Sequence, residues 1–219
     1  MKRAIQKEMP IASEILAQLG AQGVTAPDLH RMARVIGRNH ALAAELWASG
    51  QGDARILACL VDQPERVTWA QMQRWAREFD SWYMVDGACR YLFLYTPYAW
   101  RICAGWSRRK PEFVKRAGFA QMAYLAVHDK QAADAKFRPL LRRIEEEAAD
   151  ARHFVKMAMN WALRQIGKRN RALNREALRV ARQIAKQDSS SARWVASDAI
   201  RELTGAAVMR RLSARRAVR

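Results

Sequence analysis

The chain has 219 residues, half of them hydrophobic, which is enough for a buried core and excludes a largely disordered protein. Its 39 Lys and Arg outnumber 21 Asp and Glu, giving a formal charge of +18. Such a charge attracts polyanions, so nucleic acid is the first partner to consider, the alternative being a basic surface that only aids solubility. Three scattered cysteines and four histidines show no disulfide or zinc-binding spacing. We therefore expect no metal and no other cofactor.

The chain lacks the patterns of export and membrane insertion. The start, MKRAIQKEMP, has no apolar core of the kind that a signal peptide requires, and no uncharged run approaches the roughly 18 residues of a membrane span. We expect a soluble cytoplasmic protein that does not contact the membrane.

Apolar residues recur at spacings of three and four throughout, and convincing alternation is missing, so the pattern predicts an all-α protein with about ten or eleven helices. Residues that favour helix starts or stops occur at intervals along the chain. In chain order, the predicted starts are Thr25, Thr68, Asp80 or Ser81, Thr96 and Ser189 to Ser191, and the predicted stops are Gly37, Gly50, Gly52 and Gly167.

The second half of the chain contains an internal repeat. Residues 112–127 align without a gap with residues 153–168 at an offset of 41, and residues 155–167 align with 192–204 at an offset of 37. Periods near 40 with two helices per unit are typical of HEAT-like repeats, so we predict an α-solenoid.

No linker divides residues 1–205, which we interpret as a single domain. The last fourteen residues, 206–219, hold five Arg and no acid. They are interpreted as a basic tail, helical or disordered, that adds affinity for phosphates.

The repeat brings three basic residues into equivalent positions: Lys115, Lys156 and Arg193. Stacked repeats place such positions in a row, and a row of cations would follow a DNA backbone without reading its sequence. The alternative is that all three lie at the solvated edges of amphipathic helices.

Apart from Asp80 at its start, the mostly apolar segment FDSWYMVDGACRYLF carries one carboxylate, Asp86, in its middle. Trp82 lies four residues earlier, so on a helix the indole and the carboxylate share a face. This pairing suits a cationic ligand or a transition state in which positive charge develops on a sugar. Alternatively, Asp86 only caps a helix or pairs with a core Arg.

Two further residues could complete such a site. Arg116 lies on a helix whose apolar face includes Tyr124, and it could bind a phosphate or pair with Asp86. Trp161 lies one repeat further on, although a lone Trp is more often part of the core. Dinucleotide-binding, P-loop and α/β-hydrolase motifs are absent from the sequence.

Several successive motifs together resemble a known family, the bacterial DNA alkylation repair proteins of the AlkD type, over about residues 20–205. In chain order, these motifs are GVTAPDLHRMARVIGRNHALAAELWASG, DARILACLV, FDSWYMVD, TPYAW, EFVKRAGFAQMAYLAVHDK, FVKMAMNWALRQIGKRN and SARWVASDAIREL. The family consists of HEAT-like-repeat DNA glycosylases.

The resemblance implies hydrolysis of the N-glycosidic bond of cationic alkylated purines, of the 3-methyladenine and 7-methylguanine type, without flipping the base into a pocket. It also implies roles for four residues. Asp86 would position water and stabilise the sugar cation, Arg116 would hold a backbone phosphate, and Trp82 and Trp161 would contact the deoxyribose and the lesion strand.

The expected partner is duplex DNA that contains alkylated bases, bound by a monomer associated with the nucleoid. A non-catalytic HEAT-like protein that binds unusual DNA structures is the alternative. The charge of +18 disfavours a protein–protein scaffold.

Overall fold

The structure is a computed structural model that describes residues 12–21 and 24–214. The predictions made for MKRAIQKEMP and for the last five residues of the basic tail lie outside the described residues. Within the described part of the chain, no helix is long and apolar enough to cross a membrane.

All regular structure in the described residues is helical, which confirms the all-α prediction. Thirteen α-helices and two 3-10 helices are present there, so the predicted ten or eleven helices were too few. The α-helices are α1 Ala12–Ala21, α2 Ala26–Ile36, α3 His40–Ala48, α4 Gly52–Val61, α5 Trp69–Ala76, α6 Trp82–Tyr91, α7 Ala99–Trp106, α8 Glu112–His128, α9 Arg138–Glu147, α10 His153–Gly167, α11 Arg171–Ile184, α12 Ser190–Thr204 and α13 Ala206–Ala214. The 3-10 helices are Phe93–Tyr95 and Asp134–Lys136. A helix count made from the sequence is easily too low because some connections are very short: Gly205 alone separates α12 from α13.

Side chains that cap helices set most of the predicted helix starts. The Ser81 hydroxyl accepts a hydrogen bond from the Met84 amide (3.4 Å), and the Thr68 hydroxyl accepts one from the Gln71 amide (3.1 Å). Two predicted helix boundaries were wrong: the start at Thr96 and the stop at Gly52. Thr96 closes the preceding 3-10 turn by donating to the Phe93 carbonyl (2.9 Å), and Gly52 begins α4 instead of ending a helix.

The described residues form two compact units, divided between Gln71 and Met72. In the first unit, α3 and α4 pack together over buried Leu46 and Leu57. The carboxylate of Asp62 is fully buried there and accepts a hydrogen bond from the side-chain amide of Gln71 (2.8 Å). In the second unit, residues 206–214 of the predicted tail are helical and bury Leu212.

The second unit contains two rows of helices. Helices α6, α8, α10 and α12 contact one another in succession and form what we call the first row, while α9 and α11 contact each other and form the second row. Hydrogen bonds link neighbouring repeats at separations close to the predicted period. Asn160 donates to Asp198, 38 residues away (2.7 Å), and Ser191 donates to the Asp150 carbonyl, 41 residues away (2.8 Å). These contacts confirm the internal repeat.

The packing of α8 against the end of α7 depends on Gly118. A methyl group at this position would lie 2.3 Å from the Ser107 amide nitrogen and 2.9 Å from the Trp106 carbonyl carbon. Both are backbone atoms, which cannot turn aside as a flexible side chain can.

We therefore expect Gly118→Ala to lower the free energy of unfolding by about 3 kcal/mol, at the upper end of overpacking costs. Gly105→Ala on α7 is the matched control, because nothing lies within 4 Å of its added methyl group. The control should instead gain about 0.5–1 kcal/mol from its better helix propensity. Urea denaturation measures both changes, and equal stabilities of the two variants would contradict this packing.

Candidate functional site

Asp86 and Arg116 form an ion pair between two helices of the first row. Each is the fifth residue of its helix, Asp86 of α6 and Arg116 of α8. The Nη2 atom of Arg116 donates to both carboxylate oxygens, at 2.8 and 2.9 Å, and its Nη1 atom donates to the Phe154 carbonyl at 3.0 Å. The guanidinium is therefore fixed from two sides, and it sets the orientation of the carboxylate.

The carboxylate of Asp86 lies in a partly dry environment. Its side chain is 22% exposed, whereas that of Arg116 is 8% exposed. Burial raises the pKa of Asp86 above its ordinary value, and the positive charge of Arg116 only partly opposes this rise. In such surroundings a negative charge acts more strongly on a nearby cation than it would in water.

Trp82 stands beside the ion pair at the start of α6, one turn before Asp86. Its side chain is half exposed, and the neighbouring Tyr83 ring meets it edge to face at 6.2 Å. A large aromatic surface is thus open to solvent on the helix that carries the carboxylate. Exposed aromatic faces can stack on bases or contact sugars.

Tyr124 links the ion pair to Trp161. The two rings meet edge to face at 4.9 Å, which holds the indole of α10 against α8. Burial raises the pKa of Tyr124, and the negative charge of Asp86 raises it further, so the phenol lies within the electrostatic reach of the carboxylate. Sequence reasoning placed Tyr124 on an apolar helix face and missed it as a site residue. Its position eight residues after Arg116, on the same side of α8, was the available signal.

The three predicted DNA contacts share one register but not one environment. Lys115, Lys156 and Arg193 are each the fourth residue of their helices, α8, α10 and α12. Lys156 lies over the ring of Trp194 at 5.1 Å, and Arg193 is exposed, with its guanidinium 3.3 Å from the Asp188 carboxylate. These two residues are on the surface.

Lys115 differs from its two equivalents. Its side chain is 9% exposed, and its ammonium donates to Glu147 and, at 2.7 Å, to Asp150. Arg152 and Lys115 together hold the pKa of Asp150 well below its usual range. The cation is already neutralised and enclosed, so Lys115 is corrected from a DNA contact to a structural ion-pair residue.

No group of three His, Cys, Asp or Glu side chains that could hold a metal occurs in residues 12–21 and 24–214. All three cysteines are free and buried. Asp86 itself is a partly buried anion held by Arg116, on the same helix as the half-exposed ring of Trp82.

The chain was compared with known families, curated proteins and solved structures. Residues 2–203 match the family described as DNA alkylation repair enzyme. A solved structure from a family related to the HEAT-like repeat DNA glycosylases, with affinity for branched DNA structures, has a TM-score of 0.66 to this chain. The two are 20% identical over 85% of this chain and 86% of the other. The search of curated proteins found no match.

The likeness of structure confirms the HEAT-like repeat fold that the period near 40 predicted. The family match covers nearly the whole chain, including the segments that hold Trp82, Asp86, Arg116 and Trp161. From this match, the chain belongs to the DNA alkylation repair enzyme family.

Proposed function

We propose that the protein is a DNA glycosylase that hydrolyses the N-glycosidic bond of cationic alkylated purines, such as 3-methyladenine and 7-methylguanine, in duplex DNA. It would act as a cytoplasmic, nucleoid-associated monomer. Family membership supports a role in alkylation repair. The observation that carries the proposal is the carboxylate of Asp86, partly buried, held by Arg116 and next to an exposed Trp82.

The reaction needs little from the protein beyond a well-placed negative charge. A cationic purine leaves with the electrons of its bond to C1′ and becomes neutral, so no acid has to protonate it. Positive charge develops on the deoxyribose, and the fixed anion of Asp86 stabilises it. Water then adds to C1′, its proton passes to Asp86 or to solvent, and the products are an abasic site and the free methylated base.

Arg116 has a different role here from the phosphate contact that the resemblance implies. Its side chain is 8% exposed, and its two terminal nitrogens already donate to Asp86 and Phe154. We assign it the positioning of Asp86. Trp82 offers an open aromatic face to the deoxyribose, and Trp161, held by Tyr124, offers a second ring to the lesion strand.

We propose, from the resemblance of the sequence motifs, that the damaged base stays outside an enclosed pocket. Selectivity would then come from the charge and instability of the lesion, not from the shape of a pocket.

A base-release assay tests the activity directly. Wild-type protein is incubated with duplex DNA that contains 7-methylguanine, and the free base and the alkali-labile abasic sites are counted. We expect both to appear in equal amounts. Tight binding of this DNA without release of any base would overturn the enzymatic proposal.

A non-catalytic protein that binds branched DNA is the second candidate. Two observations favour it: the ion pair of Asp86 with Arg116 is complete without a ligand, and the related solved structure comes from a family with affinity for branched DNA structures. Binding to a four-way junction and to a duplex of equal length separates the candidates. A strong preference for the junction together with no base release would establish the second.

Lys156 and Arg193 are the proposed phosphate contacts of the first row. We expect Lys156→Glu or Arg193→Glu to weaken binding to duplex DNA and to reduce the slope of log K against log salt by about 0.9 for each lost contact. Titrations at several salt concentrations measure the slope. Arg66→Glu, exposed in the first unit, makes the same change of charge and should leave the slope unchanged. An equal reduction in all three variants would rule out a local contact.

A further inference from the structure

The second helix row carries a surface rich in arginine. Its members are exposed and lie on α9, on α11 and in the connection before α8: Arg108, Arg138, Arg142, Arg175, Arg179 and Arg182. We call this set the second-row arginine surface. On α11, three of them recur at spacings of four and three, so they share one face of the helix. The opposite face of α11 is buried through Ala177, Val180 and Ile184.

Few acids balance this surface: Glu146 and Glu176 are already paired with arginines, and Glu145 on α9 is only partly exposed. The Nε atom of Arg138 lies 3.1 Å from both carboxylate oxygens of Glu176, a contact that joins α9 to α11. Glu146 pairs with Arg143 at 2.8 Å. The other five members of the second-row arginine surface have no hydrogen bond or ion pair with any residue in the described part of the chain. Uncompensated like charges repel one another, so the surface is stabilised when an anion binds.

The geometry also offers a recess for a phosphate. A cavity of about 360 Å³ is lined by four arginines, Arg108, Arg138, Arg142 and Arg143, and by Glu146, whose carboxylate is paired with Arg143. Guanidinium groups bind phosphate oxygens through two parallel hydrogen bonds, and an exposed arginine requires little desolvation to do so. Further cations follow along α11, where Arg175 and Arg179 are about 6 Å apart along the helix axis. An anion with phosphates in series fits this arrangement better than a single ion does.

This surface is separate from the site at Asp86. Asp86, Arg116, Trp161 and Lys156 all lie on the first row, whereas these arginines lie on or beside the second. Because the buried faces of α9 and α11 are turned towards the packed interior, their exposed arginines point away from it. We propose that the second-row arginine surface binds the phosphates of a second duplex segment, so that one molecule holds two segments of DNA. This inference depends on the proposed function only for the first duplex segment, the one that the first row would bind.

A bridging assay tests this proposal. One duplex is immobilised, and a second, fluorescent duplex is added with full-length protein. Wild type should retain the fluorescent duplex on the surface. The triple variant Arg142→Gln, Arg175→Gln, Arg179→Gln should retain at least about tenfold less, since several phosphate contacts are lost together. Its Kd for a single duplex should change by less than about threefold, because the first row is intact.

A matched variant controls for the loss of charge. The variant Arg34→Gln, Arg66→Gln, Arg74→Gln removes the same number of exposed cations from other parts of the chain and should bridge like wild type. Asp86→Asn should also bridge like wild type, so a failure of the glycosylase proposal is seen separately. The proposal is overturned if wild type does not bridge, if the triple variant bridges equally well, or if the matched variant loses as much. Competition by RNA at lower concentrations than by duplex DNA would assign the surface to RNA and also overturn it.

Discussion

Replacement of Asp86 by Asn is expected to slow base release from alkylated duplex DNA by about a thousandfold, the size of effect seen when a fixed catalytic charge or proton acceptor is removed. The substitution keeps the size of the side chain and one acceptor oxygen for Arg116, so the fold should be preserved. It removes the negative charge that stabilises the sugar cation. Single-turnover kinetics with enzyme in excess measures the chemical step without interference from product release.

The matched control for this substitution is Asp80→Asn. Asp80 is exposed two residues before α6, and its carboxylate accepts a hydrogen bond from the Ser81 hydroxyl at 3.0 Å. The Asp80→Asn variant removes one negative charge from the same segment and should leave base release within about twofold of wild type. Binding of the lesion duplex should be retained in both variants. If Asp86→Asn releases base as fast as wild type, Asp86 is a structural residue.

Replacement of Arg116 by Ala should affect both the stability and the pH dependence of the enzyme. It removes the contacts to Asp86 and to the Phe154 carbonyl and leaves a partly buried carboxylate without its partner. Breaking a fully buried pair costs about 3–5 kcal/mol, and the 22% exposure of Asp86 reduces the expected loss to about 2–3 kcal/mol. Thermal and urea denaturation measure this loss.

The pH profile distinguishes a positioning role for Arg116 from a merely structural one. Burial raises the pKa of Asp86, and the charge of Arg116 lowers it. Removal of that charge therefore raises the pKa further. Because the ionised carboxylate is the active form, the acid limb of base release should move to higher pH in Arg116→Ala. Arg116→Lys restores a positive charge and should move the limb back, with a slower rate because Lys cannot hold Asp86 and Phe154 together. An unmoved limb in Arg116→Ala would argue against the positioning role.

Much of the candidate site could be predicted from local spacing. Trp82 and Asp86 were expected on one face of a helix, and they lie on α6 one turn apart. The pairing of Asp86 with Arg116 was left open against other roles, because 30 residues separate the two and only the packing of α6 against α8 brings them together. Tyr124 was missed for the same reason, since its contact with Trp161 joins two repeats.

The predicted row of cations shows that residues at equivalent positions of successive repeats can have different neighbours. Lys115, Lys156 and Arg193 do occupy the same position of three successive first-row helices. Their neighbours are not repeated, however: Glu147 and Asp150 enclose Lys115, whereas Trp194 lies under Lys156. A lysine is buried only where carboxylates compensate for the loss of hydration.

The sequence by itself determined the all-α class, the capped starts of several helices and the repeat near 40 residues, because each depends on the spacing of residues close together in the chain. Only the tertiary structure decided which charges are paired and which are exposed. It enclosed Lys115, held Asp86 against Arg116, and left the arginines of α9 and α11 on the surface. Solvation and ion pairing depend on neighbours that distant segments supply, and no local pattern carries that information.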